Sequence, residues 1–361
     1  MYNRVINFAA GPSTLPLEVL EEIREDLMNY KGTGMSVMEM SHRSKTYLSI
    51  FDDTKKTLRR VMSIPDDYEI LFIQGGATEQ FSAIPLNLLA GGKGYYLVTG
   101  SFANKAYKEA LRYGDAICLY DGSAKSYRHI PNENEYVLPK EASYVYLCSN
   151  NTIYGTEWQT YPDTKDIPLV ADMSSDIMSR PIDISKFGLI YAGAQKNMGI
   201  AGLAVVIIRK DLIGKHSSIT PTLMQYSVQA KGDSMYNTPP TFSIYVLGLM
   251  AKWVEKMGGL EAMQKRNEEK AKLLYDYLDQ SSFYEGRADR ESRSMMNVSF
   301  FTPSKELDDK FVKESVEAGM SNLKGHREAG GLRASIYNAM TIDNVKVLIE
   351  FMKKFEKENA R

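Results

Sequence analysis

Between residues 69 and 208 short apolar runs alternate with longer stretches of helical period. The runs at 69–74 and 95–99, and those near 116–120, 143–148, 168–171, 188–193 and 203–208, have strand length. Most are apolar at consecutive positions, the pattern of strands covered on both faces. Segments 78–89 and 102–113 carry helical spacing, and Pro85 is expected to kink the first or end it early. Strands and helices in alternation predict an α/β fold with a mostly parallel sheet flanked by helices. Further on, apolar residues at 242, 245, 246, 249, 253, 254 and 257 form one face of a helix, and Gly258-Gly259 stops it. A charged helix follows, from Leu260 to about Gln280. The order then changes to strand 296–302, helix 306–319, strand 332–336 and helix 342–358, so a domain boundary is expected near Gly258. No repeat or low-complexity segment is evident.

Composition narrows the class. The 361 residues are enough for one large or two ordinary domains with ample core. A hydrophobic share of 43% and a charged share of 25% are those of a soluble globular protein. The net charge of −1 gives no bulk electrostatic case for nucleic acid or an anionic membrane. No apolar stretch approaches membrane-spanning length, and residues 1–8 lack the apolar core of a secretion signal, so a cytoplasmic location is expected. The two cysteines, Cys118 and Cys148, sit in strand-like runs and read as buried thiols of a reducing compartment. The four histidines have no metal-ligand spacing, and no metal site is expected.

The chemistry centres on Lys196. The strand at 188–193 runs into this lysine, a glycine-spaced turn follows, and a second strand begins at Leu203. A strand end fixes a side chain, and glycines admit a close neighbour. Upstream, Pro168-Leu-Val-Ala-Asp172 ends another strand on a carboxylate. A lysine able to form a Schiff base and an aspartate able to pair with a protonated pyridine nitrogen are the minimal apparatus for pyridoxal phosphate. On those two residues alone, an ordinary surface lysine and a turn aspartate are the better reading. Gln74-Gly75-Gly76-Ala77-Thr78 joins a strand to a helix, and its backbone N–H groups suit a phosphate. It lacks the P-loop lysine and the three-glycine dinucleotide pattern, and a tight turn explains its glycines equally well. Gly91-Gly92-Lys93-Gly94 reads as a surface turn. His42-Arg43, His326-Arg327 and Arg333 are candidate anion holders, although each alone is ordinary surface charge.

In combination these motifs carry a resemblance. Asn7-Phe-Ala-Ala-Gly-Pro12, Met38-Glu-Met-Ser-His-Arg-Ser44, Gln74-Gly-Gly-Ala-Thr78, Asp172-Met-Ser-Ser-Asp-Ile-Met-Ser-Arg-Pro181, Tyr191-Ala-Gly-Ala-Gln-Lys-Asn197, Tyr236-Asn-Thr-Pro-Pro240, and Gly325-His-Arg through Arg333-Ala-Ser-Ile-Tyr-Asn338 span nearly the whole chain. The sequence resembles the phosphoserine aminotransferase family, class V enzymes of pyridoxal-phosphate fold type I. The resemblance implies a large cofactor domain over 16–258 and a smaller α+β domain over 259–361, joined by segment 1–15. It implies reversible amino transfer from glutamate to 3-phosphohydroxypyruvate in serine biosynthesis, giving O-phosphoserine and 2-oxoglutarate. Some members also use 4-phosphohydroxythreonine, in pyridoxine biosynthesis.

The same resemblance implies roles. Lys196 would hold the cofactor covalently and shuttle the proton, and Asp172 would pair with the pyridine nitrogen. The backbone of Ala77 and Thr78, with Gln195, would help hold the cofactor phosphate, and Thr152 would lie near its ring oxygen. Where many members stack a tryptophan on the ring, this chain offers Phe102, with a smaller face and no N–H donor. Asn237 and Thr238 would reach the phosphate from the other subunit of a homodimer. Arg333 would hold the substrate α-carboxylate, with His42, Arg43, His326 and Arg327 around the substrate phosphate. Two alternatives stand beside this. One is another class V enzyme acting on unphosphorylated substrates, such as a cysteine desulfurase, which needs a thiol on a mobile loop. The other is a non-catalytic phosphate-binding protein on the same fold.

Overall fold

A computed structural model of the chain describes residues 2–360. Seven strands form its central sheet: β1 (Tyr68–Gln74), β2 (Lys93–Val98), β3 (Asp115–Asp121), β4 (Tyr144–Cys148), β5 (Leu169–Asp172), β6 (Leu189–Gly193) and β7 (Leu203–Arg209). Their order is β1-β7-β6-β5-β4-β2-β3. All neighbours are parallel except β7, which runs antiparallel to both β1 and β6. The cause is the short connection 194–202 between β6 and β7: a parallel partner would need a crossover of a dozen or more residues, usually a helix.

Side chains alternate between the two faces of the sheet and build two apolar layers. Leu97, Val145, Leu147, Ala171, Ile190 and Val205 belong to one; Tyr96, Val98, Tyr146, Val170, Leu189 and Val206 belong to the other. The first layer is covered by α1 (Leu17–Asp26), α2 (Lys45–Val61) and, later in the chain, the helix Thr241–Lys256. The second is covered by α3 (Gln80–Leu88) and α4 (Ser101–Ala110). The expected helix at 78–89 begins instead with a 3-10 turn, Ala77–Glu79, and α3 then runs through Pro85 to Leu88. On α2, Ser44 caps the N-terminus by accepting from Tyr47 N (3.2 Å). That helix buries Tyr47, Ile50, Phe51, Thr54, Thr57 and Leu58, the stripe expected of a period near 3.6. Gly248 lets α2 come close to the later helix, since a Cβ there would lie 2.3 Å from Thr54 Oγ1.

The helix Thr241–Lys256, α5, stops at Gly258 and Gly259, both at positive φ (+99° and +77°). Beyond it come α6 (Gly259–Gln280), β8 (Glu285–Gly286), β9 (Asn297–Phe301), α7 (Lys305–Glu317), β10 (Leu332–Ser335) and α8 (Ile342–Asn359). The three strands form an antiparallel sheet, β8-β9-β10. A third apolar cluster gathers Leu274, Phe300, Phe311, Leu348 and Phe355, and it includes Phe8 from the start of the chain. Ile6–Asn7 pairs in parallel with Met320–Ser321. Phe8 is fully buried, so truncating it to alanine should cost about 3–5 kcal/mol. That anchor fixes where residues 9–13 cross to the lysine turn after β6.

Candidate active site

Lys196 stands in the turn between β6 and β7. Ala194 N donates to Leu203 O (2.9 Å) and Met198 N to Ala194 O (3.1 Å), which closes the turn. Gly193 permits a close approach: a Cβ there would lie 2.9 Å from Gln195 Oε1 and 3.4 Å from Ala77 Cβ. Gln195 and the Ala77 turn are thereby brought together. The N-terminal segment covers the lysine stem, since a Cβ on Gly11 (φ +143°) would lie 3.0 Å from Lys196 Cγ. Ser13 N donates to Gln195 O (3.0 Å), and Ser13 Oγ donates to Lys196 O. At the tip, Lys196 Nζ donates to Thr152 Oγ1 (2.7 Å) and lies 5.1 Å from the centre of the Phe102 ring. Burial pushes the amine below its usual pKa; Asp172 opposes this and Arg333 adds to it.

Asp172 ends β5 and is buried. Its Oδ1 accepts from Ser174 N (2.9 Å) and Ser174 Oγ (2.6 Å), and Oδ2 accepts from Tyr191 OH (3.1 Å). Ser174 Oγ in turn accepts from Gly193 N (3.0 Å), tying β5 to β6. All these donors are neutral, and among the described residues Asp172 has no ion-pair partner within 4.0 Å. Burying a carboxylate without a paired cation is costly, so the site fits a ligand that brings its own cationic centre, as a protonated pyridine does.

Thr152 joins the lysine to Arg333. Its hydroxyl donates to Ser175 Oγ (2.9 Å), which donates to Asn150 O (2.9 Å). The Thr152 lone pair is thereby aimed at Lys196. Arg333, the second residue of β10, sends Nη1 to Thr152 O (3.2 Å). Its Nε is buried without a partner, and burial lowers the guanidinium below its usual pKa. A desolvated, unsatisfied guanidinium beside a lysine fits a carboxylate ligand. On the other side, Gly75 (φ +100°) turns β1 into the 3-10 turn at Ala77. The N–H groups of Ala77 and Thr78 meet no protein acceptor among the described residues, as a phosphate cradle at a helix start requires.

Ala77, Phe102, Thr152, Asp172, Gln195, Lys196 and Arg333 therefore form one connected group, with Thr78 beside Ala77. His326 and Arg327 lie on its border. Burial pushes the His326 imidazole down, with Arg333, Lys105 and Arg327 adding to the effect and Glu328 opposing it. Glu328 pairs with Lys105 of α4 (3.8 Å), on the helix that carries Phe102. Arg327 is exposed. Both residues line a cleft of about 640 Å³ between 301–312 and 324–331, and neither Lys196 nor Arg333 lines it. His42 and Arg43 precede α2; Arg43 is exposed, and His42 Nε2 is buried without a partner. Asn237 and Thr238 are exposed, and the Thr238 carbonyl accepts from Gln74 Nε2 of the same chain. Within one chain these four make no hydrogen bond or ion pair with the Lys196 group among the described residues.

Sequence reasoning gave no role to Ser174, Tyr191, Ser13 or Gly11. Ser174 had a local signal, because an aspartate followed two residues on by serine is an Asx-turn pattern. Tyr191 had none: it meets Asp172 because β5 and β6 pair in register at those two residues.

The family model for class V aminotransferases matches residues 5–348. A phosphoserine aminotransferase of Desulfatibacillum aliphaticivorans is 50% identical, over 100% of both chains. The solved phosphoserine aminotransferase of Bacillus circulans subsp. alkalophilus is 46% identical, with a TM-score of 0.97 over 99% of this chain and 100% of that one. A phosphoserine aminotransferase of Trichomonas vaginalis, solved with pyridoxal phosphate bound, is 40% identical, with a TM-score of 0.92 over 97% and 100%.

Proposed function

The chain belongs to the class V aminotransferases and, within them, to the phosphoserine aminotransferase family; on that basis we propose that it exchanges the amino group between glutamate and 3-phosphohydroxypyruvate. It is a pyridoxal-phosphate-dependent aminotransferase of serine biosynthesis. The observation that carries the reading of the site is the meeting of Lys196 and Arg333 on Thr152. A base and a carboxylate anchor are held on one residue, as removal of a proton from the Cα of an amino acid requires.

When bound, pyridoxal phosphate supplies an electron sink for the charge that develops at substrate Cα. Lys196 would hold it covalently, the Ala77 and Thr78 N–H groups and Gln195 would take its phosphate, and Phe102 would lie against its ring. Asp172 would pair with its pyridine nitrogen and favour the protonated form there. Arg333 grips the α-carboxylate, which is common to glutamate and phosphoserine. Lys196 Nζ, favoured in its neutral form by burial, takes the Cα proton and later returns it. The hydrogen-bond chain from Thr152 through Ser175 keeps one N–H of that amine directed at Thr152 and its lone pair free.

Around the substrate phosphate this reading places His42, Arg43, His326 and Arg327, and on the cofactor phosphate Asn237 and Thr238 of the other subunit of a homodimer. Support comes from His42, Arg43, Asn237 and Thr238, which within one chain make no hydrogen bond or ion pair with the Lys196 group among the described residues. Large apolar side chains are also exposed in the chain segments that precede them: Met28, Met35 and Met38 before His42, and Leu223 and Tyr236 before Asn237. Light scattering at assay concentration should give two chains per particle, and a fully active single chain would exclude this arrangement. The division at 16–258 and 259–361, bridged by 1–15, belongs to the same proposal and is supported by the third apolar cluster with its Phe8.

The cytoplasmic location also belongs to it: both cysteines are free, and no helix among the described residues is long and apolar enough to cross a membrane. A desulfurase has no observation in its favour, because Cys148 is buried in β4 with its thiol pushed well above its usual pKa, and Cys118 lies in β3. A coupled assay with glutamate and 3-phosphohydroxypyruvate tests the reading. Turnover with that keto acid, and little with unphosphorylated hydroxypyruvate, is expected; equal turnover with both would contradict it.

A further inference from the structure

Behind the site, three consecutive carbonyls each accept a hydrogen bond from a different asparagine. Asn197 Nδ2 donates to Ile177 O (2.7 Å), Asn338 Nδ2 to Met178 O (2.8 Å) and Asn267 Nδ2 to Ser179 O (2.9 Å). The donors come from three separate parts of the chain. Asn197 follows Lys196, Asn338 lies just beyond β10 with its Arg333, and Asn267 is on α6. The acceptors belong to the segment that runs on from Asp172. The asparagines also bind one another: Asn338 N donates to Asn197 Oδ1 (3.0 Å), and Asn267 Nδ2 to Asn338 Oδ1 (2.8 Å). All three are buried, with 2%, 1% and 0% exposure.

Two further features belong to this set. Met178 sits at φ +61°, a conformation that a non-glycine residue keeps only when its surroundings hold it. Lys270, three residues along α6 from Asn267, sends Nζ to Ile336 O (2.9 Å) and Tyr337 O (2.7 Å), so α6 grips the exit of β10 at a second point. Apolar side chains would fill this space without the cost of desolvating amides. What a connected hydrogen-bond set adds is register, since each bond is lost if one segment slips against another.

We infer that Asn197, Asn267 and Asn338 are positioning residues, which set Arg333 relative to Lys196 so that a carboxylate held by the arginine presents its Cα to the lysine. The inference rests on the roles proposed above for Lys196 and Arg333. None of the three asparagines hydrogen-bonds either side chain. Their effect passes through the backbone of 177–179, the lysine turn and the β10 exit.

The test compares two unreactive ligands on the holoenzyme by calorimetry. 3-Phosphoglycerate carries a carboxylate and a phosphate, and glycerol 3-phosphate lacks the carboxylate. Wild type should prefer 3-phosphoglycerate; if it shows no preference, the role proposed for Arg333 fails and the inference falls with it. Asn267→Ala should weaken 3-phosphoglycerate by about tenfold and leave glycerol 3-phosphate unchanged, because only the carboxylate contact is displaced. Arg333→Ala should remove the preference, and adding Asn267→Ala to it should cost nothing more. Equal weakening of both ligands, or losses that multiply in the double variant, would show an effect on folding alone and overturn the inference. Asn267→Ser carries the same comparison if the alanine variant does not fold.

Discussion

Replacing Arg333 with lysine keeps the charge and removes the planar fork. In the structure Nη1 is spent on Thr152 O at 3.2 Å, while Nε is buried with no partner. The guanidinium therefore holds Thr152 and still has donors for an incoming carboxylate. A lysine ammonium is a single point on a flexible stem and cannot keep both contacts in one geometry. The expected loss is one charge-assisted hydrogen bond, about 1.5–3 kcal/mol. At about 1.4 kcal/mol per decade, kcat/KM should fall roughly tenfold to a hundredfold. Glutamate and phosphoserine share the α-carboxylate, so both half-reactions should fall together. Single-turnover stopped flow on each half-reaction reads this directly, with cofactor content measured beside it. A fall of less than about threefold with either substrate would refute the carboxylate role, since one charge-assisted bond is worth more than that. A fall confined to phosphoserine would reassign Arg333 to the phosphate.

Arg43→Ala and Arg327→Ala should each depress the phosphoserine half-reaction by about tenfold to a hundredfold, and the glutamate half-reaction less, because a phosphate offers more charge and more acceptor oxygens. Equal falls in the two half-reactions would make these arginines general anion holders. Asp172→Ala should leave the cofactor on Lys196, visible in its absorbance, and slow turnover by about 10²–10³-fold, the scale for losing one buried electrostatic partner; near-normal turnover would reduce Asp172 to a turn residue. Burial lowers the Lys270 amine to about 7, while an unfolded lysine titrates near 10.4. Between those values the unfolded chain binds a proton that the folded chain does not, so stability rises with pH there and the full penalty applies below the folded value. Denaturant unfolding of wild type against Lys270→Met should shift in favour of wild type by up to about 1.4 kcal/mol per pH unit between about pH 7.5 and 9.5; a flat difference would contradict a neutral buried amine.

The seven central strands were legible because each is a bounded apolar run, and Lys196 and Asp172 stood out as polar residues ending such runs. The direction of β7 was not, since an apolar run reads the same parallel or antiparallel. Helix α2 also escaped notice. Its buried stripe includes Thr54 and Thr57, which read as polar in the sequence, and Gly248 on a distant helix makes room for the first of them. Within the site, the residues against Lys196 come from far along the chain: Gly11, Phe102 and Thr152. Gly11 lies against the lysine stem only because Phe8 is anchored among C-terminal side chains. The three asparagines behind the site have no common spacing, and nothing in the sequence singles out Asn267 within its charged helix. Hydrogen bonds to backbone carbonyls leave no periodic trace in a sequence, and tertiary pairing alone brings these together.

The central claim is that Lys196 carries the cofactor, and locating that bond tests it most directly. Borohydride reduction of the holoenzyme fixes the cofactor to whichever amine holds it, and peptide mass analysis then identifies the peptide. The adduct should lie on the peptide containing Lys196, and Lys196→Ala should yield none while losing at least the roughly 10²- to 10⁴-fold in turnover typical of a missing general base. An adduct on any other lysine of the wild-type protein, with Lys196 unmodified, would contradict the account.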